Sequence, residues 1–600
     1  MRGSRTFFVL CIISSLLASL AELVCPKIIS FTVDSVIGSE EFALPPILET
    51  LLSKIGGITF LRSNLWAIAL TVIILAVLMG IFNYSSSVFN RRGAETLVEN
   101  MRNRLFHHIE HLPFSWYMSN QTGDIIQRCT SDIETVKSFL SEQLTSILST
   151  VLLIVISLVF MFGINVPLAM IALISIPIIV GYSAIFGSKI GDGFFECDKN
   201  EGKLSSVVQE NLTGVRVVRA FGRERYEVEK YTKQNDTYCN SWIKLGFLLS
   251  MFWCMGDILS GLQVLTVLVT GTVFCVQGTI TVGDLIAIVS YNAMLTWPVR
   301  SLGRVISEMS KAGVSIERIS EIMDAEVEKD SADAVEADTS GDIEFKNVTF
   351  SYDGSAEILK NINLKIEKGS TLGILGMTGS GKTTLVSLLC RLYELPEDSG
   401  TITLSGTDIR KLTLSSLRKN IGIVLQEPFL FSRTLRENIG IIFDNPSDHE
   451  AEIRDAAEGA SLTDTIDGFT SGYDTMVGER GVTLSGGQKQ RTAIARLLTQ
   501  KAPVMIFDDS LSAVDSETDE KIRSALRKKT ADSTVIIISH RIQTLMSADN
   551  IIVMGGGEIV ESGSHRELMD MNGIYKKIYD IQSSGASSDN SEEKEVCYDA

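Results

Sequence analysis

Residues Gly376 to Thr384 read GMTGSGKTT, a spacing suited to holding a polyphosphate. Gly376, Thr378, Gly379, Ser380 and Gly381 form a glycine-rich turn whose backbone N–H groups can close around phosphate oxygens. Lys382 reaches the β and γ oxygens, Thr383 offers a hydroxyl to Mg2+, and Thr384 opens a helix whose positive end faces the same anion. The motif requires a strand before it and a helix after it. Thr371 to Leu375 is strand-like and Leu385 to Leu392 is helical in pattern. Alone, the loop leaves kinases and GTPases open.

Two further runs narrow that choice. LSGGQ stands at Leu484 to Gln488, and VMIFDD at Val504 to Asp509, where apolar residues of a buried strand end in carboxylates. Asp508 is thereby placed to hold the magnesium, through water. With these motifs together, the soluble part resembles an ABC ATPase, and residues 7 to 580 resemble a bacterial half-transporter of the exporter type.

The resemblance implies ATP and Mg2+ as cofactors and assigns roles by motif. Tyr352 in FSYDG resembles the aromatic that stacks on adenine. Gln426 in VLQEP resembles the residue that touches magnesium and the coupling interface, and His540 the histidine that contacts the γ-phosphate. Ser512 to Asp515 matches the D-loop, and Thr475 to Gly481 the exporter-type cross-linking loop. Ser485, Gly486, Gly487 and Gln488 would serve a nucleotide on a second ATPase domain, so that two domains sandwich two ATPs. Thr122 to Thr130 and Val217 to Glu224 resemble the regions that couple the ATPase to the membrane helices.

One position departs from the family pattern. Members that hydrolyse ATP efficiently carry Glu after the magnesium Asp, to orient or deprotonate the attacking water, and this chain has Asp509. Its carboxylate sits one methylene further back, and general-base catalysis depends on reaching the water. The resemblance therefore implies a slow site within a heterodimer whose partner supplies Glu, with Asp509, His540 and Gln426 as this chain's catalytic set. A catalytic Asp509 that works through small backbone shifts is the alternative.

These residues must be carried by a much larger frame. Apolar runs of about 20 residues, the length that spans a bilayer as a helix, occur at Phe7 to Ile29, Leu65 to Phe89, Leu144 to Phe162, Val166 to Phe186, Leu245 to Val276 and Leu285 to Val305. The first is too long for a signal-peptide core and is read as a retained helix. Asp34, Glu40, Glu41 and Glu49 outweigh Lys54 and Arg62 between the first two spans, whereas Arg91, Arg92, Arg102 and Arg104 follow the second. The positive-inside tendency then puts both termini and the ATPase domain in the cytoplasm of a multi-pass cell-membrane protein. Segments 90–140 and 188–243 are helical but too polar for lipid.

The expected fold is multidomain: an all-α six-helix transmembrane domain over 1–323, an acidic linker over 324–341, an α/β ABC ATPase domain over 342–583 and an acidic tail over 584–600. The linker has too few large apolar residues to order itself. A net charge of -18 excludes a general nucleic-acid binder. Nine scattered Cys without CxxC spacing read as packing residues.

The expected partners are a second half-transporter, the lipid bilayer, and a small-molecule or lipid substrate, exported on ATP binding and hydrolysis. A nucleotide-gated channel or regulator without net transport, or an importer of the same architecture, is the competing function. Glu22, Asp257 and Arg300 are ionisable residues within spans and so functional suspects. Phe247, Met251, Tyr291 and Trp297 suit an apolar cavity and helix packing equally.

Overall fold

Backbone amides cannot remain unpaired in hydrocarbon, so apolar runs of this length must form helices. The computed structural model describes residues 4–38, 57–352, 354, 356–481, 483–510, 516–529 and 533–583. Among these, six helices are long and apolar enough to cross a membrane. They coincide or overlap with α1 (Arg5–Phe31), α2 (Leu65–Ile109), α3 (Leu144–Ile164), α4 (Val166–Thr213), α5 (Glu224–Val276) and α6 (Val282–Asp324). Every apolar run read from the sequence lies in one of them. Much of the polar segments 90–140 and 188–243 continues these helices: at 53 residues α5 is about 80 Å long, far beyond a hydrocarbon core of about 30 Å.

Local chemistry fixes where these helices begin. Asn165 accepts the Leu168 N–H at 3.1 Å at the start of α4, and Thr281 Oγ1 accepts the Asp284 N–H at 3.0 Å at the start of α6. Asp34 corrects an expectation, because it is not a solvated charge of an outer acidic loop. It is buried, accepting the Thr281 hydroxyl at 2.6 Å and the Gly283 N–H at 2.8 Å. A short π-helical extension of α1 over Thr32–Ile37 carries it there. Glu40, Glu41, Glu49 and Lys54 lie outside the described residues.

The chain divides into two compact units, Met1–His111 with Asn120–Ala325, and Leu112–Ser119 with Glu326–Ala600. In the first, Leu168, Ala172, Val267, Ile288, Tyr291 and Leu295 form an apolar core.

The second unit is built on two sheets. Strands β1 (Ile343–Phe350), β2 (Leu359–Ile366), β4 (Thr401–Leu404) and β5 (Thr407–Asp408) form an antiparallel sheet in the order β2-β1-β4-β5. Strands β3 (Thr371–Gly376), β6 (Ile421–Val424), β7 (Val504–Asp508), β8 (Thr534–Ile538), β9 (Asn550–Gly555) and β10 (Glu558–Gly563) form the other, in the order β10-β9-β3-β8-β7-β6. All its pairings are parallel except β9 with β10. Every residue of β7 is buried, as a central parallel strand covered on both faces requires.

The acidic segment ahead of β1 takes its order from polar contacts with this unit rather than from burial of its own. Glu328 pairs with both terminal nitrogens of Arg418 at 2.7 and 2.8 Å. Val335 exchanges backbone bonds of 2.9 Å with Lys411 and Thr413, and Ser416 Oγ accepts the Ala337 N–H at 2.9 Å.

Candidate functional site

Parallel strands end on one edge of a sheet, and the loops leaving that edge are where α/β folds collect ligand groups. Here Ile374 of β3 stands opposite Ile538 of β8, which stands opposite Asp508 of β7. The glycine-rich loop, the carboxylates and His540 therefore emerge side by side. A cavity of ≈ 760 Å³ lies among them, lined by Gly376, Thr378, Gly379, Gly381, Lys382, Thr383, Thr384, Tyr352, Gln426, Asp508, Asp509 and His540. The residues expected from this chain's own loops thus line one cavity, except Ser380, which does not face it.

The loop is shaped around an absent side-chain volume. Gly381 has φ +95° immediately before helix α7 (Lys382–Leu389), a conformation that favours glycine. A Cβ there would stand 2.7 Å from Leu359, and one at Gly376 would stand 2.6 Å from the Met554 carbonyl. Ser380 Oγ is buried and has no hydrogen-bond partner among the described residues. Lys382 Nζ donates to the carbonyls of Gly376 and Met377, both at 2.8 Å. Burial holds the Lys382 ammonium below its usual range, against the opposing pull of Asp508 and Asp509. A glycine-rich turn around a partly desolvated cation, with a buried hydroxyl that lacks a partner, fits a polyphosphate.

Thr383 Oγ1 donates to Asp508 Oδ2 at 3.0 Å. Burial pushes the Asp508 carboxyl up, an effect that the Thr383 bond opposes. A hydroxyl and a buried carboxylate side by side form an oxygen donor set of the kind that takes Mg2+.

Asp509 leaves β7 at φ +44°, with its N–H donating to the Ile538 carbonyl at 2.9 Å. That turn aims the carboxylate at His540, whose Nδ1 lies 3.0 Å from Oδ1 and 3.1 Å from Oδ2. Gln582 donates to the His540 carbonyl at 2.7 Å. The Tyr352 hydroxyl is 2.9 Å from Thr384 Oγ1, and its ring meets Tyr393 edge-on at 4.9 Å. Sequence reasoning missed Ile358, which lines the cavity beside Tyr352. The Ile358–Leu359 pair at the start of β2 was the only signal.

Ser485, Gly486, Gly487 and Gln488 do not line this cavity. They start helix α8 (Gly486–Gln500), where Ser485 Oγ accepts the Gln488 N–H and Gln488 Oε1 accepts the Ser485 N–H. This reciprocal cap occupies the Gln488 N–H and leaves the first-turn donors of Gly486 and Gly487 available. The Thr475–Gly481 loop is tied at its base, Leu435 N–H to Thr475 O at 3.0 Å and Val477 N–H to Arg433 O at 2.9 Å, with Met476 exposed. Ser512 to Asp515 lies outside the described residues.

The chain ahead of and within the first expected coupling segment divides between the two units. The short helix Phe114–Ser119 is grouped with the ATPase-type unit, Phe114 meeting Tyr393 edge-on at 5.5 Å, whereas Thr122–Gln127 just beyond belongs to the helical unit. Val217 and Phe221 in the other segment are exposed. Of the charged residues within spans, Glu22 is exposed on α1, and Asp257 and Arg300 form an ion pair at 2.6 Å.

Comparison with known proteins agrees with this geometry. Residues 8–299 match the family described as ABC transporter transmembrane region, and residues 359–512 match the family described as ABC transporter. The chain is 35% identical over 496 residues to a probable multidrug resistance ABC transporter ATP-binding/permease protein, YheI, of Bacillus subtilis (strain 168), covering 82% of this chain and 84% of that protein. It is 34% identical over 521 residues to an ATP-dependent lipid A-core flippase of Legionella pneumophila (strain Paris), covering 86% and 87%. Its fold is similar to that of a bacterial Atm1-family ABC exporter with ATP bound, with a TM-score of 0.79 at 27% identity over 96% of this chain and 98% of that one.

Proposed function

The chain belongs to the ABC transporter family, with its membrane and ATPase parts in one polypeptide, and on that premise we propose that it is the slow-site half of a heterodimeric, ATP-driven exporter. Asp509, in the place where the family pattern has Glu, carries this reading. Its shorter side chain turns onto His540 through the left-handed backbone at φ +44°. The carboxylate is thereby held against the histidine, at 3.0 and 3.1 Å from its Nδ1.

In this reading Gly376, Thr378, Gly379, Ser380 and Gly381 cradle the ATP phosphates, Lys382 holds the β and γ oxygens, and Tyr352 packs on the adenine. Thr383, Asp508 and Gln426 would hold Mg2+, which when bound supplies charge neutralisation at the phosphates. The orphaned Ser380 hydroxyl and the Thr383–Asp508 pair support this assignment. His540 orients Asp509 and senses the γ-phosphate. Ser485 to Gln488 complete the partner's site.

The cargo is hydrophobic or amphipathic, a small molecule or a lipid, consistent with the multidrug and lipid A relatives. ATP binding closes the two ATPase domains on the cytoplasmic side, and hydrolysis at the partner's Glu resets the transport cycle. The test is ATP turnover and vesicle transport by the full-length chain alone and with a co-expressed second half-transporter that carries Glu at the position matching Asp509. Turnover and transport by the pair, with little by the lone chain, is expected, and full turnover by the lone chain would remove the heterodimer assignment.

A further inference from the structure

The membrane helices hold a constellation that the nucleotide chemistry does not use. Arg300 of α6 is buried against α5, where its Nη1 donates to Asp257 Oδ1 at 2.6 Å and its Nη2 to the Trp253 carbonyl at 3.4 Å. Its guanidinium carbon lies 5.1 Å from the centre of the Trp253 ring. That ring in turn stacks on Trp297 of α6, with centroids 5.7 Å apart and planes at 17°. Gly256 admits this arrangement, since a Cβ there would stand 2.7 Å from Arg300 Nη2 and 2.9 Å from Cζ. The cation is locked inside.

The carboxylate is disposed in the opposite way. The Asp257 side chain is 74% exposed, and its Oδ2 takes no hydrogen bond among the described residues. Trp297 is 63% and Trp253 45% exposed beside it. A spanning helix does not direct an ionised carboxylate at hydrocarbon, where its charge is costly, so this face meets a polar cavity or a bound partner charge. The presented charge is negative and lies one helical turn from Trp253, whose ring already packs on Arg300 and Trp297, so the more exposed Trp297 is the indole that can still offer a face to a cation.

We propose that Asp257, Trp253 and Trp297 form a binding subsite for amphipathic organic cations, a cargo class that rests on the exporter reading above. An anion would meet Asp257 first and find Arg300 covered. A neutral apolar compound would desolvate the carboxylate without pairing it. A cation with an aromatic body satisfies both features at once, with its charge at Oδ2 and its apolar surface on the indoles.

The test is equilibrium binding to the full-length chain in lipid nanodiscs, corrected for empty nanodiscs. The probes are tetraphenylphosphonium, its anionic isostere tetraphenylborate, and neutral triphenylphosphine oxide. The wild-type chain is expected to favour the phosphonium over both by roughly tenfold. Asp257→Asn should abolish that preference and Asp257→Glu retain it. Trp297→Leu, which leaves the Arg300–Asp257 pair intact, should weaken phosphonium binding several-fold and keeps the proposal testable if Asp257→Asn does not fold. Equal binding of the three probes by the wild type, or an undiminished phosphonium preference in Asp257→Asn, would overturn the subsite. If the phosphonium is not bound while the pair still hydrolyses ATP and moves other cargo, the subsite falls and the exporter reading stands; loss of all transport with ATP turnover intact is the failure of the exporter reading itself.

Discussion

At the residue scale, two adjacent carboxylates sit in different surroundings. Asp508 is 3% exposed and held above the usual carboxylate range by burial. Between the unfolded carboxyl value of about 3.9 and the raised folded one, the native chain holds a proton that the unfolded chain has shed, so stability falls as pH rises through that window. Asp508→Asn should therefore raise the stability of the nucleotide-free protein by about 1 kcal/mol at neutral pH. The gain should fade as pH is lowered through the window, and added MgATP should no longer stabilise the variant. Thermal midpoints with and without MgATP check all three effects. Asp509→Glu restores the longer general base and should raise ATP turnover of the lone chain by roughly tenfold or more. These residues were legible because their chemistry is contiguous in sequence. The Asp257–Arg300 pair was not, since its members sit on different helices and nothing local marks them as partners.

At the scale of elements, helix type and number followed from apolar length, while helix ends depended on long-range caps. The six runs and the strands before the glycine-rich loop, Asp508 and His540 could be read from periodicity alone. Strands β2, β4 and β10 could not, because their burial alternates or is partial, and β9, as apolar at its centre as β3, precedes no motif that singles it out. Asp34 is the clearest case. It reads as one acid among several in an outer loop, yet its carboxylate closes the N-terminus of α6 through Thr281 and Gly283. Removing it leaves a buried donor without a partner at a helix end, so Asp34→Ala should cost about 2 kcal/mol. Gly283→Ala should be similarly costly, because a Cβ there collides with the Asp34 carboxylate and the Ser30 carbonyl. Thermal unfolding in detergent, with Glu99→Gln as an exposed control on α2, measures both.

At the scale of the whole molecule, one chain supplies one glycine-rich cradle and one signature helix, and in this structure the signature residues do not line their own chain's cavity. That separation is what a two-chain nucleotide sandwich requires, and it makes the identity of the residue after the magnesium Asp in the partner decisive. The most direct measurement is ATP turnover of the co-purified pair, comparing Asp509→Ala with alanine at the partner's matching position. The account predicts that the partner's substitution abolishes turnover while Asp509→Ala retains most of it. Abolition by Asp509→Ala as well would make both sites catalytic and contradict the asymmetric mechanism.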